Sequence, residues 1–313
     1  MAWLKEALQH GRPAGGAGAP SHVAVDEVGW VAAGERLAAG EGTLLSLWGD
    51  TGTVHLAALE DASVGVLTLA CPTGRFPSIG RLHPPAIRLE RAVRDLYGLQ
   101  PFAAPDTRRW LDHGRWGLRQ PLGRADSAPA TGEAYAFRLA EGPPMHQIPV
   151  GPVHAGIIEP GHFRFTANGE TVVRLEQRLG FVHKGIDSLM AGAPLEQAAR
   201  LASRTSGDST VAYALAFAQA VEAALDVMVP LRARYLRALM AELERLANHF
   251  GDIGAICNDA SFSIMHAQCG VLRERTLRAA DACFGHRLMM DRVVPGGVAQ
   301  DLGANGMAAA TAL

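Results

Sequence analysis

Cysteine is scarce in this chain: four residues in 313, Cys71, Cys257, Cys269 and Cys283, with no Cys-x-x-Cys pair among them. Thiolate metal sites are normally built from such close pairs, and disulfide frameworks belong to small secreted domains. The four thiols are therefore expected to be buried and chemically quiet, in a reducing cytoplasm. Long apolar runs are missing as well. No stretch of roughly 18 apolar residues could span a bilayer, and Met1-Ala2-Trp3-Leu4-Lys5 opens no apolar leader, so membrane association is expected only through partners. Nor is one charge in excess. Lys plus Arg number 29 against 31 Asp plus Glu, so no field recruits nucleic acid, which is not an expected partner. Gly296-Gly297 reads as a turn without the strand and helix of a phosphate loop, and no nucleotide pocket is expected.

What is present is apolar substance, 48% of residues, enough for a sizeable core and, at this length, about two domains. Residues 1–22 read as a flexible N-terminus, because His10–Pro20 is dominated by Gly, Ala and Pro. Residues 23–120 read as a small α/β domain. Thr43–Trp48, Val54–Leu59 and Gly65–Ala70 are short apolar runs separated by turn residues, an antiparallel meander. After Pro84-Pro85, the residues Ile87, Leu89, Ala92, Val93 and Leu96 share one helical face, with Gly98 as the stop. Residues 121–149 turn to Ala, Gly, Pro and Ser, including Ala128–Gly132, and read as a linker.

The second domain, residues 150–313, opens with a hairpin: Asn168-Gly169 between Phe163–Thr166 and Thr171–Leu175 tolerates positive φ at both turn positions. Helices are expected over Pro194–Ala202, Thr210–Val229, Arg232–Ile253 and His266–Phe284, the last ending at Gly285. In the third, Leu236, Leu239, Met240, Leu243, Leu246, Ala247 and Phe250 recur at three- and four-residue steps as bundle core, with Arg237, Glu242, Glu244 and Arg245 off the stripe.

The run Gly151-Pro152-Val153-His154-Ala155-Gly156-Ile157-Ile158-Glu159-Pro160-Gly161-His162-Phe163-Arg164-Phe165, with Leu179–Gly185, resembles the opening of group 4 nickel-iron hydrogenase large subunits. It is equally similar to the 49-kDa-type subunit of respiratory complex I. Glu244–His249 and Asp291–Val298 extend the likeness, which covers residues 146 to 303. Arg75-Phe76-Pro77-Ser78 and Glu90–Leu99 resemble the 30-kDa-type subunit of the same complexes. A fusion of the two modules is a pattern of formate-hydrogenlyase-type complexes. The resemblance implies an α+β protein: a small α/β domain with an antiparallel sheet, then a hairpin leading into a mainly helical bundle of the hydrogenase large-subunit type. The bundle is expected to be truncated at its C-terminal end, since Ala308–Leu313 shows no helix terminator and the family's second cysteine pair lies beyond it.

At Arg204-Thr205-Ser206-Gly207-Asp208-Ser209 the resemblance points to a cysteine pair, Arg-x-Cys-Gly-x-Cys, that binds the metals. Here serines stand in both places, and the segment is shortened before Val211-Ala212-Tyr213. A serine hydroxyl does not replace a soft thiolate ligand, so no metal site is expected and hydrogen activation is argued against. What the resemblance then implies is a metal-free cavity, formed with Arg204, Ser206 and Gly207, in which a quinone reacts beside an iron–sulfur cluster on a partner. No cofactor is expected to be bound by this chain itself. His154, His162 and Asp208 are the candidate proton-handling residues, because an imidazole exchanges protons near neutral pH. Each has a plainer reading. The histidines would order the hairpin entrance, Asp208 or Ser209 would cap the helix from Thr210, and Arg204 would steady Glu159 or Asp208. His183-Lys184-Gly185 is expected to shape the turn into the helices with Lys184 solvated, and Glu244 with Asn248 to form a solvated edge or a buried polar network.

The implied function is that of an electron-transfer subunit of an energy-converting, complex I-like oxidoreductase. It would be cytoplasmic and peripheral on the inner face of the membrane, held there by an iron–sulfur small subunit and, indirectly, integral membrane subunits. Two alternatives stand beside it: an active nickel-iron hydrogenase whose ligands come from elsewhere, and a scaffold without chemistry.

Overall fold

The computed structural model describes residues 3–10, 12–13, 21–124, 126–127, 135–142, 144–152 and 160–313. Contacts divide the chain into two units, one of residues 1–154 with 159–183 and one of residues 155–158 with 184–313. No described helix is long and apolar enough to cross a membrane.

In the first unit α1 (Trp3–His10) is already formed. The Glu60 carboxylate accepts the N–H groups of Trp3 and Leu4 at 3.0 and 2.7 Å, satisfying donors that a helix start leaves free. Trp3 and Leu4 are buried, and Trp3 Nε1 donates to the Glu41 carbonyl. β1 (Arg12–Pro13) and β2 (Ser21–Val25) follow. The flexible N-terminus expected over residues 1–22 is thus corrected for its described part, because two apolar side chains reach a core that local composition does not reveal. Residues 14–20 lie outside the described residues.

α2 (Glu27–Ala38) is capped by Asp26, whose carboxylate accepts Gly29 N–H at 2.8 Å. β3 (Thr43–Asp50), β4 (Thr53–Glu60) and β5 (Ser63–Ala70) form the expected meander. β2 pairs with β5 in parallel, giving a five-stranded sheet of order β1-β2-β5-β4-β3. Strand alternation collects Val23, Leu47, Val54, Leu56, Leu67 and Leu69 in one core with Leu4, Trp30 and Leu37. β6 (Arg75–Pro77) leads through a turn to α3 (Ile87–Tyr97), which stops at Gly98 with φ 78°, and β7 (Gln100–Phe102) returns parallel to β6. α3 lies so close to β3 that a Cβ on Gly49 would stand 2.8 Å from the Tyr97 ring. Glu90 of α3 is buried and accepts Ser78 Oγ, Ile79 N–H and Gly80 N–H at 2.7, 2.6 and 3.0 Å, so the two 30-kDa-like segments meet at one carboxylate.

β8 (Leu118–Arg119) pairs with β9 (Asp126–Ser127), and β10 (Met145–Val150), β11 (His162–Asn168) and β12 (Thr171–Arg178) form an antiparallel sheet that turns at Gly169, φ 58°. The described parts of residues 121–149 make hydrogen bonds of their own. Leu122 N–H donates to the Leu96 carbonyl at 3.0 Å, and Gln147 Nε2 to the Arg138 carbonyl at 2.6 Å. Ala128–Gly132 fall outside the described residues. The contact boundary also comes after His183 rather than at 149/150. Gly180 approaches the Trp110 carbonyl oxygen so closely that its Cβ would lie 2.4 Å away, and His113 Nε2 donates to the Leu179 carbonyl at 3.0 Å.

The second unit holds α4 (Ile186–Met190), α5 (Leu195–Ala202), α6 (Thr210–Leu225), α7 (Leu231–Asp259) and α8 (Ser263–Phe284). A hairpin of β13 (Val293–Val294) and β14 (Gly297–Val298) precedes α9 (Gly306–Thr311). α6 stops earlier than expected, at Asp226 in the left-handed region (φ 52°), and α8 ends at Gly285. α7 and α8 close on each other at Gly254, whose Cβ would lie 3.1 Å from Cys269 Cβ. Val211, Ala218, Met240, Leu243, Cys283 and Phe284 are core. The predicted α7 stripe needs two corrections: Leu246 is 41% exposed, and Arg237 is only 5% exposed. Arg237 is buried because its fork meets Glu222 of α6 at 3.0 and 2.5 Å and also donates to the carbonyls of Gly297 and Val294.

Candidate functional site

The segment 204–209 joins α5 to α6, and contacts from along the second unit hold it. Arg204 makes a two-pronged pair with Asp291, Nη1 to Oδ1 at 2.6 Å and Nη2 to Oδ2 at 2.7 Å. Ser203 Oγ donates to the same Asp291 carboxylate at 2.9 Å. The Arg204 hydrogen bond holds the Asp291 carboxyl below the usual aspartate value, against an opposing push from burial. Lys184 Nζ donates to the Thr205 carbonyl at 2.8 Å, so it is engaged rather than merely solvated, and Gly185 at φ 69° opens α4.

From α7, Asn248 Nδ2 donates to the Asp208 carbonyl at 2.7 Å. Glu244 accepts the N–H groups of Val211 and Ala212 at 2.6 and 3.0 Å and so caps α6 from another helix. Burial pushes the Glu244 carboxyl above its ordinary value. The two N–H donors work in the opposite direction, and the nearby Asp208 charge adds to the rise. Ser209 occupies the N-cap position without a side-chain bond, and Asp208 instead takes a hydrogen bond from Ser206 Oγ. Capping by Asp208 or Ser209 is therefore corrected, as is the expected partner of Arg204. Both capping and pairing are done by residues distant in the chain. Ser206 is half-buried, whereas Gly207 and Asp208 are exposed. Beside them lies an open groove of about 340 Å³ lined by Asp208, by Asn248 and Asp252 of α7, and by His266 and Arg273 of α8 among others.

His154 and Glu159 lie outside the described residues. His162 belongs to the first unit, on β11. Its Nδ1 faces the Gly151 carbonyl at 3.4 Å, its ring tilts against Phe137 at 5.0 Å, and its Nε2 is enclosed with no hydrogen-bond partner among the described residues. Of the candidate residues, Arg204, Ser206, Gly207 and Asp208 stand together on one loop of the second unit. Sequence reasoning placed Glu244 and Asn248 on one helical face but left their partner open. It had no signal for Asp291 as the anchor of Arg204.

A complex I 30-kDa-type domain and a hydrogenase-related region are combined in this chain. Residues 51–131 match the family described as the respiratory-chain NADH dehydrogenase 30 Kd subunit. The chain is homologous to hydrogenase-4 component G and to formate hydrogenlyase subunit 5, both of Escherichia coli (strain K12). It is 33% identical to each, over 236 and 237 residues that make up 72% of this chain and 42% of the relative. With the fused C/D-type polypeptide of the NADH-quinone oxidoreductase of Phocaeicola vulgatus it shares 25% identity over 282 residues, 82% of this chain and 54% of that protein. By name these relatives are subunits of oxidoreductases, and the chain spans between 42% and 54% of their lengths.

Proposed function

We propose that this chain is an electron-transfer subunit of a membrane-associated, energy-converting oxidoreductase complex, peripheral on the inner face of the cell membrane. In this reading the loop 204–209 borders a metal-free, quinone-reactive cavity beside an iron–sulfur cluster on a small partner subunit. The observation that supports it most is the donor set of the loop. Where the resemblance calls for two thiolates, Ser206 donates a hydrogen bond to the Asp208 carboxylate and Ser209 stands at a helix start. Hydroxyls are not the soft ligands that nickel and iron take in such sites, so a nickel-iron centre does not fit these residues and the proposed reaction uses none. Reduction of a quinone to the quinol consumes two electrons and two protons. The protons would come through His154 or through Asp208, an exposed carboxylate on the loop itself.

The first test is nickel per complex, by elemental analysis of the native assembly that contains this subunit. Background nickel is expected, and near-stoichiometric nickel would return the loop to hydrogenase chemistry. The second is His154→Ala, which should abolish quinone-dependent turnover and leave the complex assembled; loss of assembly would remove His154 from the chemistry. A scaffold reading is favoured by how fully the loop is bonded to its own chain. It prevails if the wild-type complex with reduced partner clusters passes no electrons to quinone.

A further inference from the structure

A cavity of about 540 Å³ opens in the first unit, away from the loop just described in sequence and built from other elements. Its walls include Arg91 of α3, Arg108, Arg109 and His113 of the segment that follows β7, Tyr135, and Arg178 of β12. Among the described residues no carboxylate lines it. Described acids close by have neighbours of their own: Asp95 accepts Trp110 N–H at 2.7 Å, Asp106 takes Arg91 at 3.0 Å and Arg108 at 2.7 Å, Asp112 takes Arg109 at 3.3 Å, and Glu176 accepts the Tyr135 hydroxyl at 3.3 Å.

Arg178 differs from the others in having no carboxylate partner among the described residues. Its guanidinium carbon lies 4.6 Å over the Tyr135 ring, and its Nη2 donates to His113 Nδ1. Since that nitrogen accepts, His113 donates through Nε2 to the Leu179 carbonyl at 3.0 Å and is the neutral imidazole. Burial, followed by the Arg178 charge, pushes His113 further from taking a proton. The cavity thus keeps a half-buried cation whose neighbours are an aromatic face, a neutral ring and further arginines. Burying a charge without a counter-charge is unfavourable, and an anion entering the cavity would relieve it.

We propose that this cavity binds a small phosphate ester or inorganic phosphate, with Arg178 as its principal ligand and Arg108 as the second. The guanidiniums come from three separate segments and so approach from different directions. A tetrahedral phosphate oxyanion can accept from several directions at once, whereas a carboxylate accepts mainly in one plane. Nothing in this site depends on the loop 204–209, so it stands or falls apart from the proposed function.

The test is titration calorimetry of the 313-residue chain at low salt with inorganic phosphate, AMP and citrate. Saturable binding of phosphate or AMP is expected, weakened roughly tenfold or more in Arg178→Gln and in Arg108→Gln, the loss appropriate to one charged hydrogen bond. Arg108 has a side chain 70% exposed, so its variant tests the site even if Arg178→Gln does not fold. Three outcomes would overturn the site: no saturable binding of phosphate or AMP at millimolar concentrations, binding unchanged in Arg108→Gln, or citrate bound as tightly as phosphate.

Discussion

At Asp291 one carboxylate does much to hold the candidate loop, receiving both prongs of Arg204 and the hydroxyl of Ser203. Its folded pKa lies below the ordinary value of 3.8, so its contribution to stability is complete above that value and is lost as pH falls through the lower, folded one. In urea unfolding, Asp291→Asn is therefore expected to be less stable than the parent near neutral pH and indistinguishable from it in strong acid. A difference that persists in acid would show that the residue acts by packing instead. Glu244 carries the opposite sign. Because burial raises its pKa, protonation is easier in the folded chain, and stability declines as pH rises from its unfolded value of 4.5 towards the folded one. Glu244→Ala leaves two N–H groups of α6 without their acceptor and should cost about 1–2 kcal/mol in a thermal or urea melt. Amide hydrogen exchange at Val211 and Ala212 should quicken in the same variant; protection equal to the parent's would mean that water replaces the cap fully.

At the scale of elements, the Glu222–Arg237 pair ties α6 and α7 to the hairpin of β13 and β14, since Glu222 also accepts Gly296 N–H at 2.7 Å. Burial alone would raise the Glu222 carboxyl, but the Arg237 bonds and Gly296 N–H outweigh it and hold the carboxyl below its ordinary value. Arg237→Met strands a buried acid and is expected to destabilise by about 3–5 kcal/mol, whereas Glu222→Met with Arg237→Met should recover most of that loss. Equal losses in single and double variants by denaturant unfolding would show that shape, not charge, matters there. In the first unit, Trp30 is fully buried, lies edge-on to Phe76 at 6.3 Å and donates Nε1 to the Pro77 carbonyl. Trp30→Ala should cost about 3–5 kcal/mol in the same measurement. Arg237 shows the limit of reading a helix by periodicity. A charged residue one step beside an apolar stripe is normally solvated, and a carboxylate on a different helix together with two carbonyls of the β13–β14 hairpin made this position core. Leu246 shows the converse, an apolar residue on the expected stripe that is left 41% exposed.

For the whole molecule, the family match over residues 51–131 takes in the motifs at residues 75–78 and 90–99. The nickel determination and the His154→Ala turnover assay belong to this scale, because they ask what an assembly does rather than how a loop is held. The meander, the hairpin at Asn168-Gly169, the four helices expected between residues 194 and 284 and the serines at 206 and 209 were all determined by sequence alone, since each depends on residue identity or on a period within a few positions. Tertiary structure decided the rest. Glu60 caps α1, Glu244 caps α6 and Asp291 anchors Arg204 across separations of 56, 33 and 87 residues. A hydrogen bond between such distant residues leaves no local pattern, because its energy depends on where the fold brings a donor and an acceptor together.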